Sequence, residues 1–343
     1  MYSDCMTGRG SRFPSQLRHE LGLSNRQHAR GRAHVESYGS PPVVVYAPEE
    51  GRHGNFFDAA YTAILSQPDW MRRFDKVHAQ ARSLPKAERR WRELDSSMSS
   101  DALLMNVFCT PGVVQSSPVR QMLGLEGAEV PVFGWKARVP LSSGRSDRTE
   151  ADMRLGSLLV EAKLTEGGFQ AKDAAVVHAY RDFDEVFERE LLPRVELAQT
   201  RQKAPTEFPE DYSQEFEMVP ATSAHVSRLA PERSIQRYHA GATRGLAAYS
   251  EYQLIRNVLA AYAEGSSFCL MHDERRPDLR EAWFRVMAAV KSAEMRVRLK
   301  VVTWQELAAV LPAMLQEFLH GKYGIVAPLK NNCGSGYSPP PDM

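Results

Sequence analysis

The chain has 343 residues, with 43 Lys and Arg against 42 Asp and Glu, and a formal net charge of +1. So balanced a charge gives no general field that would attract nucleic acid, although a local basic patch would be enough for binding. No apolar run approaches the roughly 18 residues of a membrane span, and the N-terminus lacks the apolar segment of a secretory signal. The four cysteines form no C-x-x-C pair, which argues against structural zinc and a disulfide framework. We therefore expect a cytoplasmic protein.

Three segments are predicted to lie outside the packed core. Residues 1–42 are polar and rich in Gly, Ser and Arg, and we expect a disordered basic arm there. Residues 201–234 carry scattered prolines and many acids, which indicates a loop insertion. Residues 326–343 are expected to form a flexible tail. The remaining chain, 43–325, is predicted to be a single domain.

Hydrophobic periodicity and capping residues predict the elements between these segments. Thr303 is the expected N-cap of the last helix, and Ser100 that of the third. In chain order the predicted elements are helices at 56–65, 86–94 and 101–109, strands at 131–141, 149–155 and 158–164, helices at 182–192 and 246–263, a strand at 267–271, a helix at 279–293, a strand at 298–302 and a helix at 304–319. The central order of one helix, three strands, one helix and one strand indicates an α/β fold with a mixed sheet, its first strands antiparallel.

Charged residues are spaced through two short apolar runs, T-E-A-D-M-R-L and L-L-V-E-A-K-L, at 149–155 and 158–164. Alternation along a strand places Leu158, Val160, Ala162 and Leu164 on one face and the charged residues between them on the other. The Gly-Ser step between the runs suits a tight hairpin turn. We therefore expect all the ionisable groups of the hairpin to rise from one side of the sheet.

Such a cluster supports a specific chemistry. The carboxylates of Asp152 and Glu161 are hard oxygen ligands suited to Mg²⁺ or Mn²⁺. A metal-bound water is a nucleophile at neutral pH, and Lys163 could stabilise charge on a phosphoryl group. The alternative is a solvated strand face, because cross-strand acid–base pairs are common and stabilise a sheet only slightly.

The two runs resemble the D…(D/E)-x-K core of the PD-(D/E)XK nucleases, the restriction-endonuclease-like superfamily. That superfamily has an αβββαβ core with flanking helices, the order predicted above. Four further blocks, S-S-D-A-L-L-M-N-V-F, K-L-T-E-G-G-F, Y-Q-L-I-R-N-V-L-A-A-Y and W-Q-E-L…F-L-H-G-K-Y-G-I, resemble a group of bacterial restriction-endonuclease-like proteins. The resemblance covers roughly residues 56–325, apart from the insertion.

The resemblance implies a metal-dependent nuclease that acts on DNA in restriction, defence or repair. Asp152 and Glu161 match the metal-binding acids and Lys163 the catalytic lysine, with Ala162 contributing its carbonyl oxygen as a further ligand. Ala151 replaces the usual proline. An acid from the first core helix is often added in the superfamily; Glu93 and Asp101 are the candidates, and neither fits well enough to imply a second metal.

Other residues are candidates for accessory roles. Glu150 could join the metal shell, and Gln253 matches a helical Gln that approaches the active site in some relatives; Asn257 lies one turn further along. His178, Tyr180, Arg244, Arg275 and Arg276 are weaker candidates for the substrate groove. The competing function is a nucleic-acid-binding or scaffold protein that keeps the fold without catalysis. The sequence leaves the oligomeric state open.

Overall fold

The computed structural model of the chain describes residues 12–37, 41–77, 92–197 and 246–328. A 3₁₀ turn occupies Glu93–Asp95. The helices are α1 (Arg12–His28), α2 (Asp58–Ser66), α3 (Pro68–Phe74), α4 (Ser100–Phe108), α5 (Ser117–Leu123), α6 (Ala174–His178), α7 (Phe183–Val186), α8 (Tyr252–Ala263), α9 (Pro277–Ala289), α10 (Ala293–Arg298), α11 (Trp304–Ala308) and α12 (Ala313–Tyr323). The strands are β1 (His34–Glu36), β2 (Val44–Tyr46), β3 (Pro48–Glu49), β4 (Arg52–His53), β5 (Val132–Pro140), β6 (Ser146–Leu155), β7 (Leu158–Lys163), β8 (Lys172–Asp173), β9 (Arg194–Leu197), β10 (Leu246–Tyr249), β11 (Ser267–His272) and β12 (Leu299–Thr303).

A five-stranded mixed sheet of order β12-β11-β7-β6-β5 forms the centre of the fold. β5, β6 and β7 pair antiparallel, whereas β7, β11 and β12 run parallel. α4 comes before β5 in the chain, with α5 between them, and packs in the same core as β7. α8 lies between β7 and β11 in the chain and leads directly into β11. The predicted αβββαβ core is confirmed, because α4, β5, β6, β7, α8 and β11 follow one another in this order. The parallel pair β7–β11 requires a crossover connection, and α8 is part of it.

Helices cover both faces of this sheet. The first core packs α4, α5, α11 and α12 against one face and contains the predicted inward row of β7: Leu158, Val160, Ala162 and Leu164. The second core packs α8, α9 and α10 against the other face and contains Leu159 and Leu270. All six residues of β7 are buried, so its charged residues lie beneath a helix rather than in solvent.

β5 and β6 exchange faces at one level, around Gly134. Phe133 packs against the first core and Trp135 against the second, although residues two apart share a face on a regular strand. On β6, opposite them, Met153 belongs to the first core and Ala151 to the second. Gly134 lies between Phe133 and Trp135 with φ 65°, in the left-handed region that favours glycine.

The exchange corrects the expectation that the ionisable groups of the hairpin share one side. Arg154 lies over the Trp135 ring, 4.4 Å from its centroid, on the side of the second core. Glu150 instead contacts Arg73, which comes from α3. Period-two alternation predicts a single face only while the strand keeps a regular twist, and Gly134 ends that regularity.

Several predicted boundaries also change. Residues 12–36 form α1 and β1 rather than a disordered arm; Leu17 and Leu21 of α1 are buried in the first core. The N-cap of α4 is Ser99, one residue before the predicted one, whereas the Thr303 cap is confirmed by its capping box with Glu306. The insertion at 201–234, residues 86–91 of the helix expected at 86–94, and most of the tail lie outside the described residues. The described end of that expected helix is part of the 3₁₀ turn.

Three long predicted helices are shorter in the structure. The helix expected at 182–192 is limited to α7, and the one expected at 246–263 begins with β10 and becomes helical at Tyr252. Pro312 separates α11 from α12 because proline cannot continue the hydrogen-bond ladder of a helix interior. Within the described ranges, no helix is long and apolar enough to span a bilayer.

Candidate active site

The site lies where β6 and β7 separate. The two strands pair from Leu155–Leu158 to Met153–Val160, and the ladder ends before Asp152 and Glu161. Beyond this point the backbone N–H of Ala162 donates to Oδ2 of Asp152 at 2.7 Å instead of to a strand carbonyl. The carboxylate of Asp152 is therefore fixed in the gap between the strands, beside the backbone of the E-A-K segment.

Glu161 and Lys163 lie on the second-core side of β7 and form a buried ion pair. Nζ of Lys163 is 3.0 Å from Oε1 of Glu161, and the two side chains are 6% and 1% exposed. The ammonium of Lys163 also lies 5.7 Å from the centroid of the Phe169 ring. Burial at this level would be costly for either charge alone, so each group stabilises the ionised form of the other.

Helix α8 supplies two further donors to Glu161. The side-chain amide of Gln253 donates to Oε1 at 2.6 Å, and that of Asn257 donates to Oε2 at 2.9 Å. The two amides share a helix face because they are four residues apart. The N-terminus of α8 is held by the backbone N–H of Gln253, which donates to the carbonyl of Phe169 at 2.9 Å. Glu161 is thus fixed by one lysine and two amides.

A second group of charges lies on the other side of Asp152. Nη1 of Arg73 is 2.6 Å from Oε1 of Glu150, and its Nη2 contacts Oδ2 of Asp101. Lys76 bridges Glu93 at 3.2 Å and Glu150 at 3.4 Å. Burial alone would lower the pKa of Arg73, but Asp101 and Glu150 outweigh it and raise that pKa. Asp101 of α4 and Glu93 of the 3₁₀ turn, the weak candidates for an additional metal ligand, therefore lie near Glu150 of the hairpin.

The remaining sequence candidates lie in separate contacts. His178 hydrogen-bonds the hydroxyl of Tyr249, and Tyr180 donates to Asp147. Arg275 pairs with Asp273, and Arg276 is fully buried against Asp278 and the carbonyl of Leu164. Arg244 lies outside the described residues. These contacts account structurally for the four described residues.

Sequence reasoning missed Arg73 and His272. Arg73 carries no signal, because an arginine in the last turn of a short helix is common. His272 is the Cα partner of Lys163 on the parallel strand β11. Its Nδ1 contacts the carbonyl of Asp273 at 2.8 Å, and burial lowers its pKa, which favours a neutral imidazole beside Lys163. The short parallel pairing of β7 with β11 brings His272 to this place.

The donor set fits one hydrated divalent ion. Asp152, Glu161 and the carbonyl of Ala162 are oxygen donors, the type that Mg²⁺ prefers, and Mg²⁺ is often held by one or two carboxylates while it keeps several waters. Among the described residues, no three His, Cys, Asp or Glu side chains form a group that could hold a metal ion.

Comparison with known families gives a match over most of the chain. The family described as "Restriction Endonuclease associating with ARP" matches residues 23–324. The chain belongs to this restriction-endonuclease-like family. Comparison with curated proteins and with solved structures gave no match. The family indicates a nuclease and a nucleic-acid substrate, in agreement with the mixed sheet and the D…E-x-K hairpin.

Proposed function

We propose that the protein hydrolyses phosphodiester bonds of DNA in a reaction that requires Mg²⁺ or Mn²⁺. The observation that carries this proposal is the position of Asp152, Glu161 and Lys163 where β6 and β7 separate. The Asp152 carboxylate accepts from the backbone N–H of Ala162, which lies between the paired Glu161 and Lys163, in a chain of the restriction-endonuclease-like family. The proposal includes action in the cytoplasm and a role in restriction, defence or repair.

Each residue has a separate role in the proposed reaction. Asp152 and Glu161 would hold the metal ion, with the carbonyl of Ala162 as a third oxygen donor. The ion, when bound, lowers the pKa of its water and neutralises charge on a phosphoryl oxygen. Lys163 would orient the attacking water and stabilise the charge that develops on phosphorus-bound oxygens. Gln253 and Asn257 donate to the carboxylate of Glu161 and keep it oriented.

Plasmid cleavage tests the proposal. Purified protein is incubated with supercoiled DNA and Mg²⁺ or Mn²⁺, and nicked and linear products are followed by electrophoresis. We expect Asp152→Ala and Lys163→Ala each to reduce cleavage by at least about 10²-fold, the cost of losing one stabilising group of this kind. Lys172→Ala, which removes an exposed lysine of β8, is the matched control and should cleave normally. Cleavage that survives both site variants would exclude these residues as the catalytic group.

A second candidate function is nucleic-acid binding without catalysis. It is favoured by one observation: Glu161 is 1% exposed and already accepts from Lys163, Gln253 and Asn257. Metal binding by Glu161 must therefore share or displace a contact that stabilises the fold. If the wild-type protein shifts DNA in a mobility-shift assay but neither binds Mn²⁺ nor cleaves the DNA, nucleic-acid binding without catalysis replaces the proposed hydrolysis.

The family description also names an association with ARP. We extend that association to this chain as part of the proposal. Co-purification of the chain with its ARP partner from cells that express both tests this point, and it is independent of cleavage by the isolated protein.

A further inference from the structure

The guanidinium of Arg73 is held by acids from two different elements. Asp101 comes from α4 and Glu150 from β6, and each contacts a separate terminal nitrogen of Arg73. An arginine in an ordinary ion pair commonly grips one carboxylate with two parallel hydrogen bonds. Here two carboxylates converge on one cation from separate directions, as protein ligands do around a metal ion.

The backbone of β5 is shaped to admit this guanidinium. A Cβ at Gly134 would lie 2.7 Å from Nη1 of Arg73, so a larger residue there would displace the arginine. Gly134 lies between the residues that pair with Ala151 and Met153, hence at the level of Asp152. Arg73 is therefore seated next to the metal-binding acid proposed above, and only 9% of its side chain is exposed.

The charges around Asp152 support the same interpretation. Glu93, Asp101 and Glu150 contact Arg73 and Lys76, so three carboxyl groups face two cations. The charge of Asp152 also helps to raise the pKa of Arg73. Because carboxyl groups outnumber bases here, this place favours a cation. Without Arg73, Asp101 and Glu150 would keep their charges in a half-buried place with the single ammonium of Lys76 as compensation.

We propose that Arg73 occupies the position of a second metal ion, so that the site takes one divalent ion and uses the guanidinium as its fixed second cation. This inference rests on the proposed function and names the metal content of that same site. It also makes Arg73 a positioning residue, which holds Asp101 and Glu150 away from the metal bound by Asp152.

The test counts bound Mn²⁺ on the full chain, by calorimetric titration and by electron paramagnetic resonance of free Mn²⁺. We expect one ion for the wild type and two for Arg73→Met, since the uncompensated acids then become ligands. Arg73→Lys keeps a cation and should bind one. Arg72→Met, a change at the exposed neighbouring arginine on α3, is the matched control and should also bind one.

The outcomes separate this inference from the proposed function. An equal number of ions for the wild type and Arg73→Met overturns the role of Arg73, whatever the cleavage activity. A wild type that binds one ion but cleaves no DNA overturns the proposed function, whereas a second ion in Arg73→Met then still supports the role of Arg73. A wild type that binds no ion overturns both. If Arg73→Met is less stable, added Mn²⁺ should restore its melting temperature more than that of Arg72→Met; failure to fold even with saturating Mn²⁺ would also refute the inference.

Discussion

The amide donors of α8 determine how firmly Glu161 is held, and Asn257→Leu tests this directly. The change removes the N–H that lies 2.9 Å from Oε2 of Glu161 and replaces it with an apolar side chain of similar size. A hydrogen bond to a charged group contributes about 1.5–3 kcal/mol, and loss of one partner leaves the buried carboxylate poorly compensated. Thr149, which donates to Asn257 at 3.3 Å, also loses its acceptor. We therefore expect the free energy of unfolding to fall by about 2–4 kcal/mol, the sum of a charged bond and a weak neutral one.

A double-mutant cycle isolates the Glu161 contribution. Asn257→Leu is introduced into the wild type and into Glu161→Leu, and urea unfolding is followed by circular dichroism. In the Glu161→Leu background both partners are apolar, so Asn257→Leu should lower the free energy of unfolding only through loss of the hydrogen bond from Thr149. We expect a coupling energy of at least about 1.5 kcal/mol. Equal costs in the two backgrounds would show that Asn257 does not hold Glu161, and the account of the site given above would be wrong.

Two further predictions concern Lys322 and Gly134. Lys322 is fully buried, its Nζ has no hydrogen-bond partner within the described residues, and burial lowers its pKa well below the usual value. Lys322→Met should therefore raise the free energy of unfolding by about 1–3 kcal/mol. The exposed control Lys291→Met should change it by less than about 0.5 kcal/mol. Nζ of Lys322 is 3.7 Å from the Tyr323 ring centroid, but this contact stabilises only the charged form of the lysine, which burial disfavours. If Lys322→Met were less stable than the wild type, the contact with Tyr323 would outweigh the cost of burial. A group whose pKa is lowered on folding is more protonated in the unfolded chain, so the wild type should gain stability as pH rises toward about 10.4, and the advantage of Lys322→Met should shrink over that range. Gly134→Ala should lower the free energy of unfolding more than Gly144→Ala in the same urea assay. Both glycines have positive φ, which costs about 1–2 kcal/mol for another residue, but only the change at Gly134 places a Cβ against Arg73. Equal losses for the two variants would contradict this explanation.

Some features of the site could be predicted from the sequence because they depend on local periodicity. The inward row of β7 and the pairing of Glu161 with Lys163 follow from alternation along one short strand. The contribution of Gln253 and Asn257 follows from their spacing of four on a helix, once that helix is placed over β7. The predicted order of helices and strands was sufficient to place it there, since a parallel strand pair needs a crossover.

Other features depend on contacts that no local pattern encodes. The exchange of faces at Gly134 separates Glu150 from Arg154, although the two are only four residues apart on β6. Arg73 reaches Glu150 across 77 residues, and α1 is ordered by packing of Leu17 and Leu21 in the first core. A polar, arginine-rich segment is helical here because tertiary packing outweighs its composition.

The sequence by itself determined the order of the core helices and strands along the chain, the acid–lysine strand and the candidates for a metal-dependent hydrolysis, because strand alternation and helix periodicity are properties of neighbouring residues. Only the tertiary structure decided that Glu161 is clamped by two amides, that Asp152 binds the backbone of the opposite strand, and that Arg73 fills the space between the acids of α4 and β6. These contacts join distant parts of the chain, and their strength comes from burial, which exists only after the helices cover the sheet.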